Sequence, residues 1–173
     1  PSDTGKSYIA ECFDFMFGGN IKDFPIGLET GYNSIHMIIV TYNGNITLER
    51  YFEKNVITVS SSNPDFESDD YSISGTKKNI NSLWLQLIGM DSNVKIIKNE
   101  ETYERQFLTF RSILHTLCIK EENVFQKDSI MYKRSFNNKT ALLSSPLYMI
   151  TGNIFETSIQ KDSKKSKEVQ KKA

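Results

Sequence analysis

Seven residues at the start of this chain narrow its possible folds sharply: Pro1-Ser2-Asp3-Thr4-Gly5-Lys6-Ser7, running into Tyr8-Ile9-Ala10-Glu11-Cys12-Phe13. Gly-Lys-Ser followed at once by an amphipathic run is the back half of the pattern G-x-x-x-x-G-K-[ST], a turn that cradles nucleotide phosphates. Four residues precede Gly5, so the first glycine of the pattern and its leading strand are expected just upstream of Pro1. The chain therefore reads as a piece of a longer protein. The residue types follow from the chemistry. Gly5 permits a backbone conformation and a close approach that a side chain blocks. Backbone N–H groups from Ser2, Asp3, Thr4, Gly5, Lys6, Ser7 and Tyr8 are expected to converge on the phosphates, helped by the helix dipole. Lys6 would set its ammonium between the β- and γ-phosphates, and the Ser7 hydroxyl would hold Mg²⁺. The plainer alternative is an N-capped helix in which the motif is incidental.

The 173 residues suffice for one domain with a real core, and 38% hydrophobic with 12% aromatic residues place the chain among globular proteins. A formal net charge of +0 advertises neither nucleic acid nor a membrane surface. Cys12 and Cys118 lie far apart with no second pair, which rules out a zinc spacing or a disulfide framework. Both fall on apolar helical faces and read as buried thiols in a reducing cytosol. No apolar run is long enough to span a bilayer and nothing resembles a signal peptide, so a cytoplasmic location without membrane contact is expected.

Along the chain, Ile9, Cys12, Phe13 and Phe17 recur at helical spacing and predict a helix over 6–17, stopped by Gly18-Gly19-Asn20. Residues 34–42 are β-branched and mostly apolar, as in a buried strand. Asn43-Gly44 signals a hairpin, and 45–53 alternates like a half-exposed partner. Further strands are expected at 56–60 and 71–74, separated by a surface loop. Ile80, Leu83, Trp84, Leu87 and Ile88 share one face of a helix predicted over 77–89. A short extended piece, 93–97, precedes a strongly periodic helix over 102–117 with Phe107, Phe110, Ile113, Leu114 and Leu117 as its core face. A polar loop covers 119–130, and 141–150 forms a helix or strand ended by Gly152. The expected organisation is a lobe over 1–153 and a lysine-rich tail over 154–173.

These residues carry a resemblance. Pro1 to Ile9, the aromatic helix closing in Phe17-Gly18-Gly19, and the meander with Leu48-Glu49-Arg50 resemble the N-terminal lobe of an ABC-type ATPase head of the SMC/RecN-like group. Thr109-Phe110-Arg111-Ser112-Ile113-Leu114-His115 and the acidic loop after it are similar to the helix leading into the Q-loop of such heads. The resemblance implies an α/β P-loop NTPase lobe, with an antiparallel meander and covering helices, that binds ATP and Mg²⁺. It implies a second head as partner, with ATP sandwiched between the two. It also implies DNA and an effector protein as possible targets, in DNA repair or phage defence. A Q-loop residue is expected to touch the metal: Glu121, Glu122 and Gln126 all stand open, because Mg²⁺ accepts carboxylate and amide oxygens alike. Ile119 is followed by Lys120-Glu121-Glu122, a departure from the apolar strand that commonly precedes the family's glutamine. The signature motif, paired Walker B carboxylates and switch histidine of the second lobe do not occur in the sequence. The tail marks either the start of a coiled coil or a disordered end.

His36 and His115 have no carboxylate at ligand spacing and read as structural. Arg50 and Arg111 could reach a phosphate or a second subunit, but pairing with nearby acids at the surface is the more ordinary expectation. Trp84 reads as core. A second functional class is a non-catalytic interaction module, docking a partner through the Asn43-Gly44 hairpin or the Trp84 helix.

Overall fold

The computed structural model describes residues 5–75, 78–118 and 139–154. The fold is mixed α/β and divides into two compact units, Pro1–Met90 and Asp91–Ala173. Apart from Ile154, the predicted tail lies outside the described residues.

The first unit is built on a meander of four antiparallel strands in sequence order: β1 (Ser34–Thr41), β2 (Gly44–Tyr51), β3 (Val56–Ser61) and β4 (Asp69–Ser72). Period-two alternation gives the sheet one apolar face. Ile46, Leu48 and Arg50 of β2, Ile57 and Val59 of β3, and Tyr71 of β4 are buried there. Helix α1 (Lys6–Met16) supplies Phe15 and Met16 to this core, and α2 (Ile80–Leu87) supplies Ile80, Leu83, Trp84 and Leu85. The Trp84 ring meets Phe17 edge-on at 4.8 Å.

In the second unit, β5 (Lys95–Ile97) pairs antiparallel with β6 (Arg105–Phe107), and helix α3 (Phe110–Leu117) packs against α4 (Lys139–Thr151). Its core holds Ile96, Leu108, Phe110, Ile113, Leu114, Ala141 and Leu142. A buried Ser145 hydroxyl bonds the Ser112 hydroxyl at 2.8 Å and pins the two helices together.

Several expectations are corrected. The helix predicted over 102–117 is a strand followed by a shorter helix. The Arg105–Phe107 backbone pairs with β5, and the Thr109 hydroxyl accepts the Ser112 N–H at 3.2 Å, capping α3. Phe107 and Leu117, expected in its core, are exposed. Helix α2 begins later than predicted, because Lys78 has φ +37 and the Asn79 side chain caps it through the Asn81 N–H at 2.9 Å. Ile88, placed on its apolar face, is exposed. Strand β1 is not a buried strand but the edge of the sheet, with none of its residues buried. The hairpin forms one residue early: Thr41 pairs with Gly44, leaving Tyr42 and Asn43 as the loop. Neither cysteine is buried, since Cys12 is half-exposed and Cys118 exposed. The segment over 141–150 is helical.

Candidate functional site

The predicted phosphate turn ends at Gly5, which has φ +76 and ψ −1 and caps a helix opening at Lys6. Nothing lies within 4 Å of a Cβ added at Gly5, so the left-handed conformation, not packing, favours glycine. The first bond along the helix runs from the Ile9 N–H to the Gly5 carbonyl at 3.2 Å. The amides of Lys6, Ser7 and Tyr8 come before it, among the donors that a helix leaves to an external acceptor. Ser7 is exposed, and Tyr8 exposes about half of its surface at 55%. Ser2, Asp3, Thr4 and the Lys6 side chain lie outside the described residues, as do Glu121, Glu122 and Gln126.

The other end of α1 is fixed firmly. The Gly19 N–H reaches the Asp14 carbonyl at 2.9 Å and the Gly18 N–H the Phe15 carbonyl at 3.1 Å. This is the double closure that a left-handed glycine, here Gly18 at φ +90, makes possible. Arg50 then reaches across from β2. Its guanidinium lies 3.6 Å from the centre of the Phe15 ring and donates Nη1–H to the Phe15 carbonyl. Phe15 in turn stacks on Phe24 at 4.3 Å and meets Phe52 edge-on at 6.0 Å. Arg50 is fully buried at 0% exposure, which overturns its expected place in a surface ion pair. The sequence hint was its position: Arg50 continues the inward alternation of Ile46 and Leu48.

With α1 held by its C-terminal half, its N-terminal half projects. Ile9 and Phe13, members of the helically spaced apolar series, are exposed at 59% and 45%, while Phe15 and Met16 are buried. Burial raises the Cys12 thiol pKa, and the charge of Glu11 adds to the shift.

Other candidates separate cleanly. His36 Nε2 lies 3.2 Å from Glu49 Oε1 on the open sheet face, and His115 sits half-buried in α3. Cross-strand register, not sequence spacing, brings Glu49 opposite His36. Among the described residues no group of three or more His, Cys, Asp or Glu is gathered to hold a metal ion. An open cleft of about 540 Å³ beside the hairpin loop is lined by Tyr42, Asn63, Asp65, Phe66 and Gln86, among others. Its amides hold the protein's own loops. Asn63 Nδ2 donates to Thr41 Oγ1 at 2.8 Å, and Gln86 Nε2 donates to the Asp65 carbonyl at 2.8 Å. Sequence reasoning missed Asn63 because its partners are distant in the chain.

Among the described residues, no helix is long and apolar enough to cross a membrane. No family model, curated protein or solved structure matches the chain.

Proposed function

We propose that this chain is the ATP-binding lobe of an SMC/RecN-like ATPase, coupling nucleotide binding and hydrolysis to the pairing of two heads. The observation that supports this reading is the left-handed Gly5 directly before a helix that opens at Lys6-Ser7. That sequence in that conformation aims consecutive amides along the helix axis, where a phosphate gains from both hydrogen bonds and dipole. Lys6 is the residue assigned to the β- and γ-phosphates, and Ser7 to Mg²⁺, which when bound neutralises charge developing on the transferred phosphoryl group. Hydrolysis needs a general base, which this reading assigns to a second lobe. The chain alone is therefore expected to bind nucleotide weakly and to turn it over hardly at all. DNA or an effector protein as the target of the coupled motion belongs to the same proposal.

A second reading, a protein-interaction module, is favoured by the exposed apolar residues of β1. Its alternative anchor, the Trp84 helix, falls away because Trp84 is only 5% exposed and packs inside.

Calorimetry of Mg-ATP binding to the chain and to a Lys6→Ala variant decides between the two. Binding that disappears in the variant supports the phosphate cradle. Equal binding by both ends that reading.

A further inference from the structure

Strand β1 pairs with β2 on one side, and among the described residues no strand pairs with its other side. The hydrogen-bond phase of this edge is fixed. The Phe52 N–H donates to the Asn33 carbonyl at 2.9 Å just before β1, so odd-numbered residues of the strand face β2. Ser34, His36, Ile38 and Val40 therefore turn their N–H and C=O groups outward. The side chains of His36, Ile38 and Val40 are also those on the exposed face, with Ile38 at 65% and Val40 at 78%. The eight residues SIHMIIVT contain no Lys, Arg, Asp, Glu or Pro, the residues that ordinarily stop an edge from pairing.

We infer that β1 is a self-association edge, taking the β1 strand of a second copy in antiparallel fashion about a two-fold axis at Ile39. The phase and the apolar side chains together select this arrangement. Pairing outward groups with outward groups requires even-numbered residues to oppose even-numbered ones. Centring on Ile39 sets Ile38 against the other copy's Val40 and Val40 against its Ile38. Centring on Ile38 instead sets Val40 against His36, and centring on Met37 sets Ile38 against His36 and Val40 against Ser34, so both lose apolar contact. Each Glu49 stays beside its own His36, so no like charges oppose one another across the axis. A second copy suits the edge because the one strand supplies both sides of this match. One strand pair is a small contact beside the ~1,200 Å² or more that stable assemblies bury, so the dimer is weak. It is distinct from the ATP-sandwiched pairing proposed above and needs no nucleotide.

The test is sedimentation velocity on the full chain, from low micromolar to several hundred micromolar, with and without Mg-ATP. Ile38→Lys and Ile38→Pro are run beside it, with folding checked by circular dichroism. The proline removes an N–H that faces away from β2, so it spares the existing ladder. The expected result is a concentration-dependent dimer that forms without nucleotide, persists in Lys6→Ala, and weakens at least tenfold in both Ile38 variants. Hydrogen exchange at the His36, Ile38 and Val40 amides should slow as concentration rises. A monomer at every concentration overturns the inference, as does a dimer that requires nucleotide, survives both variants, or leaves those three amides unprotected. None of these outcomes touches the nucleotide reading, which the Lys6 calorimetry decides separately.

Discussion

The Arg50 guanidinium covers the face of Phe15 and bonds the carbonyl of that same residue, so one side chain grips both the ring and the backbone of α1. The grip falls at the C-terminal end of the helix, where the dipole favours a cation. It adds a second donor to the Phe15 carbonyl, which already accepts the Gly18 N–H at 3.1 Å.

Removing this contact should be costly. Arg50→Ala deletes the buried stem, the ring contact and the hydrogen bond, for an expected loss of about 3 kcal/mol. Arg50→Lys should recover only part, because an ammonium cannot lie flat on a ring while bonding its carbonyl. Urea denaturation of the three proteins checks the order. An Arg50→Ala midpoint equal to that of the parent would mean that the guanidinium contributes nothing net.

Arg50 also marks the limit of what the sequence discloses. The β1–β2 hairpin, the third strand and the glycine stop of α1 were legible because each is written in neighbouring residues. Arg50 was not, since its charge argued for the surface and only Phe15, thirty-five positions away, explains its burial. The failed part of the helix over 102–117 has the same origin: the apolar spacing was present, but pairing with Lys95–Ile97 claimed the Arg105–Phe107 backbone. For the candidate site, the glycine-lysine turn was readable, and the structure adds the left-handed conformation of Gly5. The exposure of Ile9 and Phe13 was hidden, because periodicity tells that a helix has an apolar side but not which part of it is covered.

Gly44 carries a second stability prediction. Its φ is +142, and a Cβ there would stand 2.8 Å from the Asn63 backbone nitrogen and 2.9 Å from the Ser62 carbonyl carbon. Gly44→Ala therefore adds a backbone clash to conformational strain and should cost about 3 kcal/mol. Gly31→Ala is the control: its φ is +85 with nothing within 4 Å, so strain alone remains, at roughly 1 kcal/mol. Comparing denaturation midpoints separates the terms. Equal losses would show that the hairpin yields freely at Asn63.

Lys78 sets a pH-dependent contribution. Its ammonium bonds the Asp69 carboxylate and lies 2.8 Å from Glu67. The bond to Lys78 lowers the Asp69 pKa, so its contribution to stability is present above the unfolded value near 3.9 and is lost as pH falls through the folded one. Burial pulls the Lys78 pKa down, but bonds to Asp69 and Glu67 outweigh it and leave it raised. That contribution is present below the unfolded value of about 10.4 and disappears as pH rises through the folded one. Asp69→Asn should therefore be less stable than the parent by a constant amount between about pH 5 and pH 9, with the gap closing in acid. Because the pair is exposed, added salt should shrink the gap. Denaturation midpoints across pH check this, and a gap that widens in acid would contradict the assignment.

Gly5 links the fold to the proposed chemistry. Its conformation requires glycine or a residue tolerant of the left-handed region, and the space around it is open. Gly5→Asn should therefore leave the denaturation midpoint almost unchanged, since asparagine adopts this conformation at little cost. A phosphate seated on the amides of Lys6, Ser7 and Tyr8 must nevertheless approach the turn closely, and an asparagine side chain stands in its way. Mg-ATP affinity is then expected to fall more than tenfold, about 1.4 kcal/mol or more, with stability retained. Fluorescent nucleotide titration beside thermal melts reads both quantities. If Gly5→Asn binds nucleotide as the parent does, the phosphates do not sit on this turn, whatever the outcome at Lys6.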